Sequence, residues 1–258
     1  MRNLSAAYTV PITPYDTTLK LSYGRHDFAI IKEPFNALDI NSESVSYSVT
    51  LRQPLHRIMQ CEIAIGLTGD WRQSKSSLFG LPFSFSPGAV NGETTVSVLR
   101  FFQEWTERDQ TQVLALRSSI NFGLEVLDAT RNGTARDSKF VSWQGQAQYV
   151  RRLDTRGDQL VLGSSFQASD SPLLSLEQFS IGGANTVRGL RENQIVRDLG
   201  WIGSLELRVP VWRTTTGQPP LLGPRLPRLQ QRLARPAGPR PPLQPHRPRL
   251  LSRAPGAP

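Results

Sequence analysis

The segment of the chain richest in chemistry is Glu177-Gln178-Phe179-Ser180-Ile181-Gly182-Gly183-Ala184-Asn185-Thr186-Val187-Arg188-Gly189-Leu190-Arg191-Glu192. Its paired glycines, Gly182 and Gly183, permit the positive-φ backbone of a tight bend and act as the hinge of a loop. The tip that follows, Val187-Arg188-Gly189-Leu190, presents one arginine. A guanidinium is a planar fork that grips a carboxylate with two parallel hydrogen bonds, which suits it to locking a loop in place. The plainer alternative, a Gly-rich loop with a solvated Arg188, fits the bare pattern equally well. A dinucleotide cradle needs G-x-G-x-x-G, and a nucleotide P-loop needs Gly-Lys-Ser/Thr; neither spacing is present.

No other group of residues has catalytic spacing. The three histidines sit in no nucleophile or metal motif, and the single cysteine, Cys61, excludes a disulfide framework and a multi-cysteine metal site. The chain is therefore read as a non-enzyme with no cofactor, no metal and no small-molecule substrate. Asn132-Gly133-Thr134 fits a glycosylation sequon but reads better as a loop turn. Cys61 shares parity with Ile63 and Ile65, which makes it a lipid-facing packing residue.

The elements that must position the Arg188 loop are strands. Residues 1–212 alternate with period two in one segment after another, and helical spacing is almost absent. Val141, Trp143, Gly145, Ala147 and Tyr149 share one face, while Ser142, Gln144, Gln146 and Gln148 share the other. Nine strands are predicted, at 4–12, 17–31, 42–54, 57–71, 93–106, 110–125, 139–152, 157–169 and 199–212. Most match the roughly 9–11 residues of a tilted bilayer-crossing strand rather than the roughly 5–6 of a globular one. Short turns at Pro14-Tyr15-Asp16, Leu55-His56, Glu107-Arg108-Asp109 and Asp154-Thr155-Arg156 alternate with long loops near 32–41, 72–92, 126–138 and 170–198. Outer-membrane barrels show this asymmetry, with short periplasmic turns and long extracellular loops. Tyr23, Trp71, Trp105 and Trp201, near predicted strand ends, fit interfacial girdles and equally fit scattered core positions. No apolar run reaches the roughly 18 residues of a spanning helix.

Charge divides the chain. All 21 acidic residues lie at or before Glu206, and nine of the 30 basic ones are arginines at or after Arg213, so the first 212 residues carry 21 − 21 = 0. Residues 213–258 also hold 12 of the 20 prolines and no acid, lysine or aromatic residue, which predicts a disordered tail. Translation of a shifted reading frame explains the abrupt change after Trp212 better than a proline-rich linker for SH3-like domains. A nucleic-acid arm ranks last, because no aromatics are interleaved to stack on bases. Met1-Arg2-Asn3-Leu4-Ser5 lacks signal-peptide regions, so an outer-membrane location would require a start that is missing here.

With these residues in view, the chain resembles the ShlB/FhaC/HecB family, the outer-membrane transporters of two-partner secretion. The resemblance spans about 1–212 and rests on Phe179-Ser180-Ile181-Gly182-Gly183, Val187-Arg188-Gly189, Ser204-Leu205-Glu206-Leu207-Arg208-Val209-Pro210 and Leu51-Arg52-Gln53-Pro54-Leu55-His56-Arg57. Leu190 stands where the family usually has an aromatic residue. The resemblance implies an all-β, partial antiparallel transmembrane barrel holding about nine of sixteen strands, with two preceding periplasmic POTRA capture domains absent from this chain. It further implies a lumen lined by Gln144, Gln146, Gln148, Ser204 and Glu206, and an outer-membrane location in contact with lipid. The implied partner is a large secreted exoprotein, neither nucleic acid nor small molecule. In the family the loop arginine pairs with the acid of a Phe-x-Asp motif, which no residue after Trp212 supplies in this frame. A one-base shift of Leu226-Pro227-Arg228-Leu229 can encode Phe-Leu-Asp-Tyr. By that reading the chain alone is not functional. A BamA-type insertase relative and a soluble secreted β-sandwich or adhesin domain are the rival readings.

Overall fold

A computed structural model describes residues 2–29, 38–133, 136–154, 157–183, 186–187, 189–191, 193–212 and 221–223. The strands are β1 (Arg2–Pro11), β2 (Thr18–Ala29), β3 (Asn41–Arg57), β4 (Cys61–Leu78), β5 (Leu81–Pro82), β6 (Glu93–Arg108), β7 (Gln112–Leu124), β8 (Val141–Arg152), β9 (Gln159–Ser169), β10 (Phe179–Ile181), β11 (Ile195–Arg197), β12 (Gly200–Trp212) and β13 (Leu221–Gly223). One antiparallel sheet runs β1-β2-β3-β4-β6-β7-β8-β9-β12-β13, with β5 folded back onto β4, and β10 and β11 form a separate hairpin. All nine predicted strands are present. Among the described residues no second sheet packs face to face on the first, as a β-sandwich requires. Among the described residues no helix is long and apolar enough to cross a membrane, which says nothing against crossing by strands.

Register shows how completely the alternation sorts the two faces. One row reads Thr50, Thr68, Arg100, Asn121, Ser142 and Ser169 across β3, β4, β6, β7, β8 and β9. The opposite face carries Leu51, Leu67, Phe101, Ile120 and Trp143 in the neighbouring row, and Leu51, Leu67 and Trp143 are exposed there. A one-sided sheet with its apolar side outward is the reverse of a soluble fold.

Several boundaries differ from the predicted ones, each for a local reason. Pro54-Leu55-His56 is not a turn: Pro54 pairs with Ala64 and His56 with Ile63, so Leu55 forms a bulge and β3 continues to Arg57. A bulge is where a strand accommodates a proline, which has no N–H for the ladder. The turn lies at residues 58–60, closed by the Ile58 N–H donating to the Cys61 carbonyl at 2.9 Å. β4 therefore starts at Cys61 and runs to Leu78, and β6 continues through Glu107 and Arg108. Trp71 consequently lies inside β4, and with Tyr23 inside β2 and Tyr47 of β3 it forms an outer-face ladder, with ring centroids 5.1 Å apart for Tyr23 and Tyr47 and 5.6 Å apart for Tyr47 and Trp71. Beyond the predicted boundary at Trp212, β13 pairs with β12, and the rest of 213–258 lies outside the described residues.

The candidate functional site: a connector folded onto the polar face

The connector between β9 and β12 leaves the sheet at Asp170 and returns at Leu199. Its first turn, Ser175–Glu177, is a 3-10 turn seated on the polar face. Leu173 and Leu174 are fully buried against Val96 and Val98 of β6 and Phe140. Val96 and Val98 occupy polar-face positions, so this apolar seat interrupts an otherwise hydrophilic wall. Burying four or more aliphatic side chains here contributes on the order of 1.5–3 kcal/mol each.

Beside the seat lies a four-charge cluster. Glu177, its side chain 2% exposed, accepts from Arg100 Nη2 at 2.8 Å and 2.9 Å and from Arg72 Nη2. Asp70 sits 3.3 Å from both guanidinium groups, so the cluster is neutral and each arginine meets two acids. Removing charge from water is costly unless every ion is paired, and this arrangement pairs them all. The Glu177 carbonyl accepts from Gln167 Nε2 of β9 at 2.9 Å, and the Leu176 carbonyl accepts from Arg72 Nη1 at 3.1 Å.

The neck of the connector is closed by Asp198. Its carboxylate accepts from Gln178 Nε2 at 2.7 Å, from the Leu173 N–H at 3.1 Å and from Arg136 Nη1 at 3.2 Å. Arg136 belongs to the β7–β8 loop and also donates to the Leu173 carbonyl, while Asn132 of that loop donates to Gly88 of the β4–β6 loop at 2.6 Å. Three long loops thus meet at one rim. Asn132-Gly133 acts there as a loop bend, with Gly133 at φ +57°, and Thr134 lies outside the described residues.

Past the neck, β10 and β11 pair from Phe179–Arg197 to Ile181–Ile195 and carry the tip. Gly182 stands at φ +139°, and a Cβ there would lie 2.1 Å from the Arg191 carbonyl oxygen, so no other residue fits. The Gly182 N–H donates to Thr186 Oγ1 at 2.8 Å, and the Gly183 N–H donates to the Leu190 carbonyl at 3.1 Å, which closes the tip. Val187 and Leu190 are half-buried and Gly189 is exposed; Arg188, the expected lock, lies outside the described residues.

The tip reaches the middle of the sheet. Thr186 shares a cavity of about 160 Å³ with Gln146, Gln148, Ser165, Ile202 and Ser204. A second cavity, about 380 Å³, lies under the neck between Glu177, Gln178, Arg100, Arg117, Ser119 and Gln144. Four of the five predicted lining residues therefore surround the connector. The fifth, Glu206, stands apart toward the turn end, 3.2 Å from Arg208.

Residues 1–224 match the model of the haemolysin secretion/activation proteins ShlB/FhaC/HecB. The chain belongs to that family. The match extends past Trp212 and takes in β13. Membership places this ShlB/FhaC/HecB chain among outer-membrane β-barrel proteins of two-partner secretion. In fold it is similar to CdiB from Escherichia coli, with TM-score 0.69 and 19% identity over 82% of this chain and 39% of that one. It is similar also to CdiB from Acinetobacter baumannii, with TM-score 0.58 and 16% identity over 80% of this chain and 37% of that one. The chain thus spans less than half the length of either. No curated protein matches it by sequence.

Sequence reasoning singled out the segment from Glu177 to Glu192 and the polar strand faces but assigned nothing to Asp70, Arg72, Arg100, Gln167 or Asp198. The available signal was parity: Asp70, Arg72 and Arg100 are charges at polar-face positions in the middle of long strands, where a membrane wall would otherwise favour Ser, Thr and Gln.

Proposed function

We propose that this chain forms part of the wall of an outer-membrane pore that exports a large partner exoprotein, of haemolysin or adhesin type, in two-partner secretion. The observation that carries this reading is the seating of the connector, whose tip residue Thr186 shares a cavity with Gln146, Gln148 and Ser204 at mid-sheet. A loop returned onto the hydrophilic face of a sheet whose other face is greasy supports the reading that the hydrophilic face encloses water. Gln144, Gln146, Gln148, Ser204 and Glu206 then line the lumen. They let an extended polypeptide exchange hydrogen bonds as it moves, at little net cost. The reaction is conformational and no bond is made or broken.

Arg188 is the lock of the tip in this reading, and lipid is the solvent of the outer face. The apolar band has suitable height: from Ile63, the partner of Trp105, to Trp71 there are eight residue steps on β4. At about 3.4 Å per residue and a tilt near 40° this gives roughly 20 Å between aromatic rows, close to the roughly 25 Å band of outer-membrane barrels. The sheet does not close among the described residues, and this stretch by itself is expected not to transport.

The test supplies the chain, behind an export signal, to cells making the exoprotein encoded beside it. The chain should fractionate with outer membranes and give no secretion. The same barrel completed with its remaining strands and capture domains should secrete, and its Arg188→Ala variant should not. Exoprotein in the medium from the chain alone, or recovery of the chain as a soluble periplasmic protein, would overturn the proposal.

A further inference from the structure

Glu177 touches three strands that are far apart in the sheet. Its carboxylate meets Arg72 of β4 and Arg100 of β6, and its carbonyl meets Gln167 of β9. In the order β4-β6-β7-β8-β9, the outer two are four strand spacings apart. At about 4.8 Å per spacing this is roughly 19 Å along the sheet, too far for one residue to bridge on a flat surface. The side chains converge because the sheet curls around Glu177. Neighbours reinforce the link: Gln144 of β8 donates to Gln167 Oε1 at 2.7 Å, which fixes the amide that reaches the Glu177 carbonyl.

We infer that Glu177 is an internal brace, a positioning residue that sets the curvature of the β4–β9 arc from inside and seats the connector at the same time. The connector has a separate apolar seat in Leu173 and Leu174, and a separate closure at Asp198. Neither of these reaches β4, whereas Arg72 and Asp70 both lie on β4. The ionic cluster is therefore the part of the connector that ties distant strands together. Neutralising Glu177 leaves two guanidinium groups facing the single carboxylate of Asp70 and removes the anion that draws β4 and β6 toward the connector. The consequence for pore width rests on reading the polar face as a lumen; the brace itself does not.

The test measures the arc directly, on the full chain in detergent micelles in a Cys61→Ser background. One nitroxide pair at Leu67 and Leu162, on the outer faces of β4 and β9, reports the braced arc. A second pair at Tyr8 and Leu51, on β1 and β3, reports strands that the brace does not touch. Glu177→Gln should shift the first distance distribution to longer values and broaden it, and leave the second unchanged. The charge exchange R100E/E177R, which restores equal numbers of each sign, should narrow the first again. If Glu177→Gln loses strand content, R72K/R100K is used instead; it keeps the charge, loses the fork and should broaden the first pair alone. An unchanged first pair in folded variants, or broadening of both pairs together, overturns the brace. Secretion plays no part in these readouts, so failure here leaves the transport proposal separately testable.

Discussion

Gly66 and Phe102 allow a quantitative test of which face of the wall is packed. Phe102 is a polar-face residue of β6, yet it is 2% exposed, because its ring packs over Gly66 of β4 beneath the Arg117 guanidinium, 4.3 Å from the ring centroid. A Cβ at residue 66 would fall 2.1 Å from Phe102 Cζ and 2.7 Å from the Leu51 carbonyl oxygen. The ring has to tilt away and the arginine stack is lost with it. Overpacking of this kind costs about 1–3 kcal/mol and the stack about 0.5–1 kcal/mol, so Gly66→Ala should destabilise by about 2–4 kcal/mol. Urea unfolding in lipid vesicles, followed by tryptophan emission, measures this. In a Phe102→Ala background only the Leu51 contact remains, and the same glycine substitution should cost about 1 kcal/mol, a coupling of at least about 1 kcal/mol in the double-mutant cycle. Equal costs in both backgrounds would refute the packing of the ring on the glycine.

Further tests address the faces, the rim and the neck. Leu67→Arg, on the outer face at mid-band, should cost about 2–4 kcal/mol in vesicle refolding, whereas Gln148→Arg on the polar face should be nearly neutral; equal effects would contradict the assigned parity. Asp170 accepts the Val141 N–H at 2.9 Å, and this bond and the Ser171 hydroxyl hold its carboxyl below the usual 3.8. A depressed folded pKa contributes stability that is present above 3.8 and is lost as pH falls through the lower folded value. Intrinsic-rate-corrected exchange of the Val141 amide should therefore accelerate at strongly acidic pH, and Asp170→Asn should remove the acid dependence. Asp198→Ala removes the carboxylate that Arg136, Gln178 and the Leu173 N–H share and leaves Arg136 only the Leu173 carbonyl, and limited proteolysis should cut the connector at least tenfold faster, about 1.4 kcal/mol of local opening; an unchanged rate would show that the neck is held elsewhere.

Most of the architecture was legible because a barrel wall has the simplest code available to a chain, one greasy face and one wet face in strict alternation. The nine long strands follow from it. The misplaced turn at Leu55-His56 shows the limit: proline punctuates turns and bulges alike, and only the partner strand, by pairing Pro54 with Ala64 and His56 with Ile63, decides between them. The bend at Gly182 and Gly183 was legible because positive φ excludes most other residues. The Glu177 cluster was not, since its members are separated by 105 residues for Arg72 and 77 for Arg100, and nothing local distinguishes a paired polar-face charge from a solvated one. Val96 and Val98 carried a fainter mark, two apolar residues at wet positions, whose meaning appears only when Leu173 and Leu174 are laid on them.

The long reach of Glu177 also constrains the order of assembly. A contact closed over 105 residues is entropically late, yet the connector it holds lies on the inner side of the curve and is pinched at Gln178 and Asp198. The contacts of Glu177 with β4, β6 and β9 can form only when those strands have curved toward one another. Sheet curvature and connector seating are therefore expected to develop together, the connector acting as the mandrel on which the arc from β4 to β9 is bent.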